Sequence, residues 1–149
     1  MAKQKEPRPA SHFKLVLGGK ETAGVFREVS GLSSETEVIE HKYVDEQGKP
    51  NYRRVTGANK TGDITLKRGA DQNLTLWNWR QQVIDGGPDE ARVDGQIMLL
   101  DYKGEVLTTW KFLQGWPKKY DGGTFSAASN EVALESVEIA HEGITRQPG

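Results

Sequence analysis

Three histidines, His12, His41 and His141, are the side chains in this sequence suited to ligating a metal or moving a proton near neutral pH, and each stands in a different segment. His141-Glu142 has no second histidine four positions on, so the helical zinc-protease pattern fails. Ser30 lies in Val-Ser-Gly, not in the Gly-x-Ser-x-Gly elbow that exposes a nucleophile. There is no cysteine, which excludes disulfides, iron–sulfur clusters, thiolate zinc sites and thiol nucleophiles. The glycine pairs lack the strand, Gly-x-Gly-x-x-Gly and helix order of a nucleotide site, and no phosphate-binding Gly-Lys-Ser/Thr loop occurs. Charged residues make up 28% of the chain, yet no carboxylate pair is marked out by an apolar setting that would raise one pKa for acid catalysis. Arg53-Arg54 and Lys118-Lys119 are adjacent basic pairs, too little for a nucleic-acid footprint at a net charge of -1. The expectation is a protein with no catalytic set, no metal and no cofactor.

The elements that would carry such groups are organised around residues 63–88. Ile64 and Leu66 alternate with Thr65 and Lys67 as in a strand; after Gly69 the spacing of Leu74, Leu76, Trp77, Trp79, Val83 and Ile84 becomes helical. The helix is expected over residues 73–85, with Asp71 or Asn73 as N-cap and Gly86-Gly87-Pro88 as the stop. At about 100° per residue, Leu74, Trp77 and Ile84 form one arc and Leu76, Trp79 and Val83 the opposite one. Two apolar arcs need two covers, the second being either the second sheet of the same domain or a neighbouring subunit. Trp77 is assigned to the core, and Leu76, Trp79 and Val83 to a subunit interface.

The remainder reads as strands. Residues 1–11 form a polar, proline-containing arm, followed by alternation of Phe13, Leu15 and Leu17 up to Gly18-Gly19. Residues 25–29 make a short strand. Residues 35–44 carry apolar groups on both faces, with Val38 and Val44 on one and Ile39 and Tyr43 on the other, as in a central sandwich strand or a subunit contact. Asp45, Glu46, Gln47, Gly48, Lys49, Pro50 and Asn51 form the polar tip of a projecting hairpin, with a mobile surface loop as the plainer reading. Strands follow over residues 92–100, 106–113 and, weakly, 124–128; Pro117 is expected to end the pairing after residue 113. In residues 131–141, Val132 and Leu134 share one parity and Val137 and Ile139 the other, a phase switch that a β-bulge or a passage from one packing layer to another would produce. Residues 144–149 are read as a tail.

At 149 residues, one domain with an adequate core is expected. No apolar run reaches the roughly 18 residues of a membrane span, and the first residues lack the apolar centre of a signal peptide, so a soluble protein not exported by the general route is expected. Charge is uneven: the first 20 residues hold five basic groups against Glu6, whereas residues 131–142 hold four glutamates and no Lys or Arg. That polarity suits head-to-tail association, and equally suits solvated edges of opposite sign.

Several stretches together resemble the tail-tube proteins of contractile phages and phage-tail-like contractile injection systems. They are Phe26-Arg27-Glu28-Val29-Ser30-Gly31-Leu32, Ile64-Thr65-Leu66-Lys67-Arg68-Gly69, Leu76-Trp77-Asn78-Trp79, Trp110-Lys111-Phe112 with Gly115-Trp116-Pro117-Lys118-Lys119-Tyr120, and the run from Asn130 through Val137-Glu138-Ile139 to Gly143. The likeness spans residues 13–143. The chain departs from the family at Gly115, where alanine is common, and at Thr56-Gly57, where Pro-Gly is common. The resemblance implies a mainly β fold, a two-sheet sandwich or rolled β-barrel with one flanking α-helix and a long projecting hairpin. It also implies hexameric rings stacked into a tube inside a contractile sheath, with baseplate, spike and tail-terminator proteins as further partners and DNA or a protein effector in transit through the lumen. Assembly in the bacterial cytoplasm and no membrane binding by the subunit itself belong to the same implication. Within it, residues 45–51 and the N-terminal arm serve ring stacking, and Thr65 with Lys67 are candidates for the lumen wall. The alternatives are a tube-initiating or type VI secretion-like ring protein, and a free-standing β-sandwich binding module using Trp79 and Trp116 as a ligand platform.

Overall fold

The computed structural model describes residues 10–19, 21–69, 74–123 and 134–148. Period-two alternation gives β1 (Ala10–Leu17), β2 (Glu21–Phe26), β3 (Glu28–Ser30), β4 (Ser34–Val44), β5 (Pro50–Thr61) and β6 (Ile64–Gly69). Two helices follow, α1 (Thr75–Ile84) and α2 (Pro88–Ala91), and then β7 (Val93–Asp101), β8 (Val106–Asp121), β9 (Leu134–Ala140) and β10 (Gly143–Pro148). Residues 1–9, Asp71, Asn73, the expected strand at 124–128 and Val132 lie outside the described residues.

Seven strands hydrogen-bond in the order β2-β1-β7-β8-β9-β6-β3. The two ends of that path are one run of chain. β2 and β3 are separated by Arg27 alone, whose backbone N–H donates to the Lys67 carbonyl at 3.0 Å. The sheet therefore rolls up and closes, as the fold expectation held. Phe26 and Val29 both turn inward because the break at Arg27 resets the alternation, leaving Val25 exposed.

β8 runs through the proline expected to stop it. Its first part pairs with β7; residues 116–121 then pair with β9, and a register shift after Pro117 accommodates the missing N–H donor. β9 leaves residues 108–113 of β8 open on that side, and β10 fills the edge from Gly143 opposite Leu113 to Pro148 opposite Thr108. Residues 143–148 are thus a strand where a tail was expected, and Ala10 and Ser11, expected in the arm, begin β1.

The core joins Leu15, Phe26, Ile64, Leu66, Ile97, Phe112, Val137 and Ile139 from the barrel to Leu76, Trp79 and Ala91 from the helices. Phe112 is fully buried between two glycines: a Cβ at Gly95 would lie 2.2 Å from its ring, and one at Gly115 would lie 2.4 Å away. The ring occupies the volume that an alanine would need. The expected phase switch in β9 has a different origin from a bulge, since the β6–β9 register is unbroken from Ile64–Ile139 to Gly69–Leu134. Glu135 takes the inward position, with Val137 and Ile139, and Leu134 faces out.

Glu135 is held by Arg68, whose Nε donates to Oε2 at 3.1 Å and Nη2 to Oε1 at 3.4 Å, and by Tyr120, whose hydroxyl donates to Oε1 at 2.7 Å. The Arg68 guanidinium also lies over the Phe26 ring at 5.2 Å. Burial, and then donation to the Glu135 carboxylate, push the Tyr120 hydroxyl up to about 12. Between its ordinary value near 10 and that value, the unfolded chain releases this proton and the folded chain keeps it, so stability falls as pH rises through this window.

Two measurements check these contacts. Gly115→Ala is expected to lower the unfolding free energy by about 1–3 kcal/mol through overpacking against Phe112, read by urea denaturation. Tyr120→Phe is expected to flatten the loss of stability from pH 10 to about 12 relative to the parent chain; parallel slopes for both would show that the Tyr120 proton is not linked to folding.

Candidate assembly surfaces

The α1 helix has one buried arc and one exposed arc, in the reverse of the expected sense. Leu76 is fully buried, Val83 packs against the core, and Trp79 is 5% exposed with its Nε1–H donating to the Ala91 carbonyl at 2.6 Å. Leu76, Trp79 and Val83 therefore belong to this chain's own core and not to a subunit interface. Buried Trp79 also cannot form a ligand platform, and Trp116 is half-buried. Leu74, Trp77 and Ile84 face outward, Trp77 being 42% exposed and resting edge-on against Tyr120 at 5.2 Å. The sequence carried a signal for this: Asn78 and Gln81 fall beside the Leu74 and Trp77 arc, as expected of a solvent-side face. Leu74 stands at the N-cap position without a side-chain cap, and Gly86, at φ +85°, ends the helix where the stop signal placed it.

The second surface is the β4–β5 ribbon. The two strands pair from Ser34 opposite Thr61 to Val44 opposite Pro50, and β4 extends about 35 Å at strand rise. Val38, Val44 and Tyr52 are exposed on one face, and Ile39 and Val55, which pair across the strands, are exposed on the other. The expectation of apolar groups on both faces holds; a central sandwich position does not, because the ribbon forms its own two-stranded sheet.

The tip is a built turn. The Asp45 carboxylate accepts from the backbone N–H of Gln47 at 3.0 Å and of Lys49 at 2.8 Å, the Gly48 N–H donates to the Asp45 carbonyl, and Gly48 adopts φ +76°. The β7–β8 turn repeats the construction: Asp101 accepts from Lys103 and Glu105, with Gly104 at φ +84°. Both turns read Asp-x-x-Gly. Glu46, Gln47, Gly48 and Lys49 are exposed at the tip, whereas Pro50 and Asn51 already belong to β5.

On the outer face of the barrel, Thr65 and Lys67 have the parity opposite to Ile64, Leu66 and Arg68. Cross-strand pairing lines them up in two polar rows, Ser30, Thr65, Glu138 and Lys119 in one and Glu28, Lys67, Ser136 and Asp121 in the other. The histidines are not brought together. His41 stacks on Tyr43 in the ribbon, His12 meets Ser11, and His141 bridges the root of the ribbon, with Nε2 2.9 Å from the Gly62 carbonyl oxygen and Nδ1 3.1 Å from that of Gly143. Lys118 and Asp63 form an ion pair at the same root. Among the described residues, no helix is long and apolar enough to cross a membrane.

Comparison with known proteins gives a consistent answer. The family described as T4-like virus tail tube protein gp19 matches residues 9–145. Among solved structures, the chain is similar to one from the sheath–tube complex of the PVC extracellular contractile injection system in its extended state, with 25% identity, 96% of this chain and 93% of that one covered, and a TM-score of 0.73. It is similar to one from the tube-terminating cap of the anti-feeding prophage, with 25% identity, coverage of 100% and 96%, and a TM-score of 0.75. Hcp1 from Flavobacterium johnsoniae shares the fold at 18% identity, coverage of 93% and 96%, and a TM-score of 0.53. No curated protein matches the sequence.

The two tryptophans of α1 should separate in stability. Trp79→Ala is expected to cost about 3–5 kcal/mol in chemical denaturation, through the cavity and the lost bond to Ala91, whereas Trp77→Ala should cost about 1 kcal/mol, the scale of its edge contact with Tyr120.

Proposed function

The chain belongs to the T4-like virus tail tube protein gp19 family, and we propose that it is the repeating inner-tube subunit of a contractile phage tail or phage-tail-like injection particle. Subunits close into hexameric rings, and rings stack around a channel that cargo, DNA or a protein effector, traverses. The observation that carries this reading is the β4–β5 ribbon. An isolated two-stranded ribbon is marginal in water, and this one exposes large apolar side chains on both faces. Assembly with further copies covers this surface, with Asp45, Glu46, Gln47, Gly48, Lys49, Pro50 and Asn51 at the stacking contact between rings.

The polar rows through Thr65 and Lys67 supply the channel wall, where alternating charge and hydroxyl groups keep the surface wet and offer passing cargo no apolar foothold. The outer arc of α1, Leu74, Trp77 and Ile84, lies on the sheath side. Work comes from sheath contraction, and the tube transmits it without unstacking, a task that needs no catalyst. Sheath, baseplate and spike, and terminator are the expected partners. The solved relatives from a sheath–tube complex and a tube-terminating cap support the sheath and terminator among them. Assembly takes place in the bacterial cytoplasm.

Electron microscopy of the purified protein, alone and with its sheath and baseplate, tests the proposal. Hollow stacked tubes are expected. A monomer that persists across a concentration series with those partners present would overturn it, and rings that never stack would point to a tube initiator or a type VI-like ring. Replacing residues 45–51 by a two-residue Asn-Gly turn should leave the melting temperature unchanged and shorten the tubes; tubes of normal length would remove the tip from the stacking contact.

A further inference from the structure

The ribbon is electrically sorted by strand. β4 carries Glu35, Glu37 and Glu40 against Lys42, while β5 carries Arg53, Arg54 and Lys60 and no acid. All of these side chains are exposed. Lys60 and Glu37 form an ion pair within the ribbon. Glu35, Glu40, Arg53 and Arg54 have no ion-pair or side-chain hydrogen-bond partner among the described residues, although Glu40 stands directly opposite Arg54. Among the described residues neither strand pairs with a third, so each presents an open edge, acidic along β4 and basic along β5.

We propose that the basic β5 flank of one copy docks against the acidic β4 flank of a second copy, bringing the Arg53-Arg54 pair alongside the Glu35 to Glu40 stretch of the neighbour. The partner is a second copy because the chain carries both complementary flanks on one element. Copies related by rotation about an axis along the ribbon point their hairpins the same way, which sets β5 antiparallel to the neighbouring β4, the arrangement in which open strand edges pair. A two-fold contact would set like flank against like flank, β5 on β5 or β4 on β4, a like-charge arrangement that disfavours it. The sorting therefore selects head-to-tail contact, which closes into a ring. This rests on the tube-subunit reading and names the contact that selects its neighbour.

Charge inversion tests it. Glu35→Lys with Glu40→Lys, and separately Arg53→Glu with Arg54→Glu, leave the Lys60–Glu37 pair and the barrel core in place. Each double variant alone is expected to raise the critical concentration for assembly by about tenfold or more at low salt, and an equimolar mixture of the two should restore it. The quadruple variant, with both flanks inverted, should assemble with itself and stay out of wild-type tubes when the two are differently labelled. Thermal denaturation identifies any variant that has lost the barrel, and the quadruple variant keeps opposite charges within its own ribbon. Double variants that assemble as the wild type does, a mixture that fails to recover, or a quadruple variant that mixes freely with the wild type would each overturn the flank contact while wild-type tubes leave the tube reading standing. A wild type that never assembles overturns both.

Discussion

The barrel is organised around one buried ion pair. Arg68 and Glu135, each almost wholly removed from solvent, sit among apolar side chains and satisfy one another through two hydrogen bonds, with Tyr120 adding a third to the carboxylate. Such a pair gives little net stability, because desolvating two charges offsets most of their attraction. Its effect is to make wrong arrangements costly. A one-residue slip between β6 and β9 would bury a guanidinium without its carboxylate, so the pair pins the register of these strands, and Tyr120 and Phe26 tie β8 and β2 to the same point. With β2 fixed there and continuous with β3 through Arg27, the sheet has one way to close.

That closure separates the molecule into two physical regimes. The barrel and the inner arc of α1 satisfy their own surface, and substitutions there act on stability. The β4–β5 ribbon and the outer arc of α1 leave apolar surface uncovered, and on the proposed function substitutions there are expected to act on association. The proposed stacked subunit needs this division, since a rigid body must be complete before it can pass load to its neighbours.

Much of this was legible in the sequence. Alternation located the strands, the Asp-x-x-Gly turns announced both tight hairpins, and the family likeness gave the rolled barrel with its single long helix. What failed were choices between equivalent patterns. Periodicity showed two apolar arcs on α1 but not which arc faced inward, and the amphiphilic tryptophans hid the polar neighbours that settle it. The parity break in residues 131–141 looked like a bulge or a change of packing layer because a glutamate at a core position is invisible as core until its arginine partner, 67 residues earlier, is placed beside it. Pro117 read as a terminator because pairing to a different strand on the far side of a bend leaves no local trace. Residues 143–148 have little strand character of their own and are strand because β8 offers them an edge. The proposed tube wall and stacking contact lie between copies, and the pattern along one chain carries Thr65 and Lys67 only as far as the outer face and residues 45–51 only as far as a hairpin tip.

His141 gives the ribbon a mechanical property. A ribbon about 35 Å long is a cantilever, and a rotation of about 5° at its root sweeps its tip by about 3 Å, close to one residue of strand rise. The imidazole bridging the Gly62 and Gly143 carbonyls, with the Lys118–Asp63 pair beside it, clamps that root to the β9–β10 corner. The stiffness of this small joint sets how finely the distant tip is aimed, and in the proposed stack of rings errors at each joint would accumulate as twist.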